Sequence, residues 1–114
     1  MPKYERMYRA FLQEVTEALP GVKWVLCEPF VLDCGVVVDG WRQEIDERRA
    51  VVATLAKEFD AVLVKFQGMF DAAVAGGTTP DYWAKDGVHP TPAGHALMAR
   101  EWAKAVGESS NAKL

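Results

Sequence analysis

The chain has 114 residues, half of them hydrophobic and a quarter charged, with a formal net charge of −3. That bounds it to one domain, or part of one, with a modest core, and without a basic run neither nucleic acid nor an anionic membrane surface is an expected partner. No apolar run reaches the roughly 20 residues of a membrane span, residues 1–6 lack the apolar stretch of a signal peptide, and Cys27 and Cys34 are too few and wrongly spaced for a zinc site or a disulfide framework. They read as two reduced thiols, which makes a cytoplasmic location the expectation.

Helical and strand-like segments alternate along the chain. Tyr4, Met7, Tyr8, Phe11, Leu12, Val15, Ala18 and Leu19 recur at helical spacing and give one broad apolar face, ended by Pro20-Gly21. Residues 23–28 form a short apolar run stopped by Pro29, the signature of a buried strand. A loop with an apolar patch, Val36-Val37-Val38, leads to Asp39 as N-cap of a helix over about 40–59. Its expected buried stripe is Trp41, Ile45, Val52, Leu55 and Phe59, with Arg42, Glu44, Glu47, Arg49 and Lys57 toward water.

Residues 60–66 read as a second buried strand, residues 69–74 as a short helix and residues 75–80 as a flexible connector. Thr91 can cap the last helix with Pro92 at its first position, where proline forfeits no hydrogen bond. That helix is expected to run to about Val106, leaving residues 108–114 as a frayed tail. The order is α-β-α-β-α-α, so the class is α/β, with about two parallel strands joined by right-handed crossovers. So small a parallel sheet needs cover on its faces and edges, and a partner or further chain is expected to supply it.

Chemistry concentrates in Asp86-Gly87-Val88-His89-Pro90-Thr91-Pro92-Ala93-Gly94-His95. An imidazole works as a general base when a carboxylate accepts from its Nδ1–H, fixing ring and tautomer. Asp86, three residues before His89, can reach Nδ1 if Gly87-Val88 turns tightly. On spacing alone, an Asx turn beside an exposed histidine is the ordinary reading of the pattern. Trp83, next to the loop, is a candidate wall for an acyl pocket, although Trp41, Trp83 and Trp102 are most simply core aromatics. His95, one turn into the last helix, reads as a packing or solvent-facing residue. Cys27 reads as an apolar strand residue and therefore an inert thiol, and Thr78 and Thr79 lie in the connector.

Tyr82-Trp83-x-x-Asp86-Gly87-Val88-His89-Pro90-x-Pro92-x-Gly94-His95 resembles the last block of the SGNH/GDSL hydrolases, the GDSL-type esterases and lipases. Upstream, Ala18-Leu19-Pro20-Gly21-Val22-Lys23 and Leu26-Cys27-Glu28-Pro29-Phe30 are similar to the segment after that family's third block, most closely in the bacterial esterases resembling lysophospholipase L1. The resemblance implies a three-layer α/β/α, flavodoxin-like fold, of which residues 1–107 would be the C-terminal half, carrying roughly the fourth and fifth strands of a five-stranded sheet. It implies that Asp86 orients and His89 is the general base for a serine, in ester hydrolysis through an acyl-enzyme, with a small ester as substrate and no metal or organic cofactor.

The family's Gly-Asp-Ser and Gly-x-Asn-Asp blocks, which carry nucleophile and oxyanion donors, do not occur here. The only serines are Ser109 and Ser110 and the only asparagine is Asn111. The chain by itself is therefore expected to be close to inactive. Three readings follow: a fragment of a serine esterase, a half-site completed by self-association or by an N-terminal half, or a non-catalytic oligomeric scaffold derived from the fold.

Overall fold

The structure, a computed structural model, describes residues 1–112, with side chains described through Ser109. Its elements are α1 (Pro2–Ala18), β1 (Val25–Cys27), α2 (Trp41–Glu58), β2 (Val62–Val64), α3 (Phe66–Ala75), α4 (Pro80–Trp83) and α5 (Pro92–Ala112). The two strands pair in parallel, with Val25 opposite Val62, Leu26 opposite Leu63 and Cys27 opposite Val64. The α/β class and the parallel pairing agree with the sequence reading.

The strands are shorter than expected. Asp60 turns with φ of +52°, and Phe66 already begins α3, so the apolar run of 60–66 is strand only at its centre. Two further bonds extend the ladder: Val62 N–H donates to the Trp24 carbonyl (2.9 Å) and Glu28 N–H to the Val64 carbonyl (2.8 Å). The 69–74 helix is longer, the connector contains the extra turn α4, and α5 passes Val106 to Ala112. Of the expected tail, residues 108–112 are thus helical, and 113–114 lie outside the described residues.

Two apolar clusters hold these elements. Leu12 of α1, Leu26 of β1 and Val51, Val52, Leu55 and Ala56 of α2 form the first, with Tyr4, Tyr8, Trp24, Phe59, Ala61 and Leu63 around them. Leu32, Phe70 and Ala84 form the second, flanked by Phe30, Cys34, Met69, Val74, Trp83, Leu97 and Met98. Leu55 and Phe70 are fully buried, and burial of such side chains contributes about 2–3 kcal/mol each.

Several expectations fail for a common reason: an apolar face is buried only where a partner element exists. Within α1 only Leu12 is buried, while Met7, Phe11 and, just past the helix, Leu19 stand exposed, because the helix packs on α2 along part of its face. Trp41 and Trp102 are also exposed rather than core residues, and Ile45 and Phe59 are half-buried. The cap of α2 is Gly40 in the left-handed region, in place of Asp39, whose side chain makes no cap bond. Arg49 turns inward to Glu28 instead of facing water, because that buried carboxylate needs a counter-charge.

Candidate active site

The loop between α4 and α5 brings the two residues of the Asp-x-x-His motif together. His89 Nδ1 lies 2.5 Å from Asp86 Oδ2. The other carboxylate oxygen, Oδ1, accepts from the backbone N–H of Val88 (2.9 Å) and of His89 (2.7 Å). The Asx turn and the catalytic-type pair, which competed as readings of the sequence, therefore coexist on one carboxylate. One oxygen folds the loop and the other holds the ring. These bonds, from the His89 ring first and then from the two N–H groups, hold the Asp86 carboxyl well below the usual carboxylate range.

The histidine itself is open. Its side chain is 85% exposed, and it borders a hollow of about 400 Å³ lined by Lys85, Asp86, Pro90, Thr91 and Pro92. With Nδ1–H donated to Asp86, the ring presents the Nε2 lone pair to solvent, the arrangement a general base requires.

The loop is pinned on two sides. On one, Thr91 caps α5 as expected: its Oγ1 accepts from the Gly94 N–H (3.1 Å) and donates to the Tyr82 carbonyl (2.8 Å), while its own N–H donates to the Trp83 carbonyl (2.8 Å). On the other, Leu32 N–H donates to the Gly87 carbonyl (2.8 Å) and Val36 N–H to the Asp86 carbonyl (3.0 Å). The approach is so close that only glycine fits on either side. Gly87 sits at φ +89°, and a Cβ there would lie 2.5 Å from the Cys34 carbonyl oxygen; a Cβ on Gly35, at φ +61°, would run into the backbone of Asp86.

The other candidates are placed elsewhere. Trp83 lines none of the hollow beside His89; its ring packs 6.3 Å from Phe70 in the second cluster, and its indole N–H donates to Thr78 Oγ1 (2.8 Å). Thr78 is thereby committed, since its hydroxyl also donates to the Ala73 carbonyl (2.8 Å). His95 is exposed on α5. Cys34 approaches the loop, but its thiol donates to the Ala84 carbonyl (3.1 Å). Burial, then the carboxylates of Asp81, Asp33 and Asp86, push that thiol up, away from the thiolate a nucleophile needs. Burial likewise pushes up Cys27 in β1. Ser109 lies 17 residues beyond Pro92 on the same helix, about 25 Å away at 1.5 Å per residue, and cannot serve His89.

A buried polar group behind the loop escaped the sequence reading. Glu28, just past β1, is 7% exposed and Gln67, at the start of α3, is fully buried. Glu28 Oε1 accepts from the Gln67 N–H (3.0 Å) and Gly68 N–H (3.3 Å), capping α3, and Oε2 accepts from Arg49 Nε (3.1 Å). The Gln67 amide grips Val31, accepting its N–H (2.8 Å) and donating to its carbonyl (3.0 Å), and donates to Asp71 (3.0 Å). Burial alone would push Asp71 up, but the bonds from Arg42 and Gln67 outweigh it and the carboxyl sits low. The available signal was Glu28 itself, an acid closing an apolar strand run.

Comparison with known proteins places this chain among relatives. The family model described as GDSL-like lipase/acylhydrolase matches residues 1–97. An acetylxylan esterase from Geobacillus stearothermophilus is 30% identical over 107 residues, covering 94% of this chain and 47% of the relative. A solved structure described as a GDSL-like lipase from Parabacteroides merdae superposes with a TM-score of 0.85 at 43% identity, over 90% of this chain and 48% of that one. The Geobacillus acetylxylan esterase structure superposes with a TM-score of 0.78 at 31% identity, over 93% and 47%. Two further structures of that enzyme are catalytic mutants, one with a serine and one with an aspartate replaced by alanine. The chain spans about half the length of these relatives.

Proposed function

Because the chain belongs to the GDSL-like lipase/acylhydrolase family, we propose that it contributes the general base and its orienting acid to the hydrolysis of a carboxylic ester through an acyl-serine. The observation that carries this reading is the 2.5 Å contact between His89 Nδ1 and Asp86 Oδ2, with the second carboxylate oxygen pinned by two N–H groups. In this mechanism His89 Nε2 takes the serine hydroxyl proton as its oxygen attacks the ester carbonyl. The protonated ring, stabilised by Asp86, then delivers that proton to the departing alcohol. Water repeats the sequence on the acyl-serine, and the acid leaves. Relatives named acetylxylan esterase make short acyl esters of carbohydrate hydroxyls the class to assay first. The two free thiols support a cytoplasmic setting.

The serine and the oxyanion donors would come from polypeptide outside these 114 residues, seated on the free edge of β1. Two observations support that seat. The Trp24 carbonyl and Glu28 N–H face β2, so by strand alternation the backbone groups of Val25 and Cys27 face the other way, where no strand among the described residues pairs with them. Beside that edge lies an apolar groove of about 470 Å³ lined by Tyr4, Tyr8, Phe11, Leu12, Trp24, Val25 and Leu26.

The test is complementation. The chain alone is expected to show no organophosphate labelling and no burst with p-nitrophenyl acetate. Joined to the serine-bearing half of the acetylxylan esterase it should hydrolyse the ester, and His89→Ala should lower kcat by about 10³-fold or more. Stoichiometric labelling of the chain alone, or an active joined protein indifferent to His89→Ala, would overturn the proposal.

A further inference from the structure

We infer that Gln67 is a positioning residue for the Asp86/His89 pair, acting through the loop that follows β1. The inference rests on the catalytic reading above and names a residue that never meets the substrate.

The path is short and made of named bonds. Gln67 is fully buried at the start of α3, where its own N–H is fixed by Glu28 Oε1 (3.0 Å). Its amide takes both backbone groups of Val31, at 2.8 Å and 3.0 Å. The next residue, Leu32, turns its N–H the opposite way, to the Gly87 carbonyl (2.8 Å). Four residues on, Val36 N–H reaches the Asp86 carbonyl (3.0 Å). The segment is thus held between Gln67 on one side and the two residues that set the Asp86 backbone on the other. Leu32 is buried in the second cluster and cannot swing independently of Val31.

A buried glutamine with both ends of its amide used is a rigid clamp, since freeing either end strands a polar group without water. Apolar packing would hold Val31 equally deep but would leave its register along α3 free to slip. The directional bonds fix that register, and so fix where Asp86 presents its carboxylate. The low titration of Asp86 depends on that placement, because it needs the His89 ring and two loop N–H groups to converge on one carboxylate.

The experiment uses the 114-residue chain and carbon-13 NMR of the Asp86 carboxyl, with the exchangeable Nδ1 proton of His89 as a second signature. Gln67→Met keeps the volume and removes both bonds to Val31 together with the one to Asp71. It is expected to move the Asp86 titration upward, by less than the rise caused by His89→Ala, and to weaken the Nδ1 proton signal. Leu55→Ala, which cuts the first cluster away from this path, should lower stability without moving either signature. A folded Gln67→Met with an unchanged Asp86 titration overturns the inference. If Gln67→Met does not fold, hydrogen exchange in the unaltered protein decides. The amides of Val31, Leu32 and Val36 should then exchange as one unit, and free exchange at Leu32 and Val36 beside a protected Val31 overturns the inference. His89→Ala without effect on Asp86 would instead sink the catalytic pair, so the two failures are told apart.

Discussion

Replacing Gly87 with alanine loads the site through a single added carbon. At φ +89° a non-glycine residue costs about 1–2 kcal/mol in backbone strain. The added Cβ would also lie 2.5 Å from the Cys34 carbonyl oxygen, 2.5 Å from Val37 Cγ2 and 2.7 Å from the Leu32 carbonyl oxygen. Favourable carbon contacts begin near 3.5 Å, so these neighbours must retreat by about 1 Å, and two of the three are backbone and cannot rotate aside. Overpacking of that kind adds about 1–3 kcal/mol, for a total near 3 kcal/mol. Gly40 supplies the control, because it has φ of +94° but nothing within 4 Å of an added Cβ. Gly40→Ala therefore reports strain alone. In urea unfolding followed by tryptophan fluorescence, with m about 1.5 kcal/mol/M, the Gly87→Ala midpoint should fall about 1 M further than that of Gly40→Ala. The retreat also breaks the Leu32-to-Gly87 bond, so the Nδ1 proton signal of His89 should be lost in Gly87→Ala only. Coincident midpoints for the two variants would refute the close-approach argument.

The acid limb of stability should carry the mark of Asp86. Its folded titration lies below that of the unfolded chain, so its contribution is present above about pH 4 and is lost as pH falls through the folded value. Urea midpoints measured from pH 5 to pH 2 should therefore fall less steeply in Asp86→Asn, with the remaining slope coming from Asp46 and Asp71, which are also held low. An unchanged slope would mean that the carboxylate gains nothing from its ring and loop partners. Thr91→Ala should cost about 1 kcal/mol through the lost cap of α5, or about 4 °C in Tm, and Thr91→Ser should restore most of it. Equal melting of the serine and alanine variants would show that the hydroxyl bonds are not what stabilises the cap.

What could be read without coordinates was whatever is encoded locally. Asp86, Gly87 and His89 lie within four residues, so their pairing needs only a tight turn, and the turn residue is in the motif. Thr91-Pro92 announces its own cap, and the apolar runs around Val25 and Val62 announce buried strands. Element ends were less legible, because strand and helix compete for the same apolar residues. Residues 60–66 could have been one strand, but the pairing with β1 uses only Val62, Leu63 and Val64, and Phe66 turns into α3.

Burial is not legible in the sequence wherever it depends on a partner. The periodic face of α1 is apolar throughout, yet only Leu12 is fully covered by α2 and β1, Tyr4 and Tyr8 are covered in part, and Trp41 and Trp102 stay at the surface. Periodicity says which side of a helix can be buried; only the neighbouring elements decide how much of it is. The polar support of the site was also a matter of tertiary structure. Glu28, Arg49, Gln67 and Val31 are separated by up to 39 residues in sequence, and Gln67 meets Val31 across 36. By itself, then, the sequence determined the chemistry on offer, an acid and a base placed three residues apart by a glycine turn. The fold decided where that chemistry is held, because a buried amide, a reversed arginine and two interlocking glycines act only after distant segments have been brought within hydrogen-bond reach.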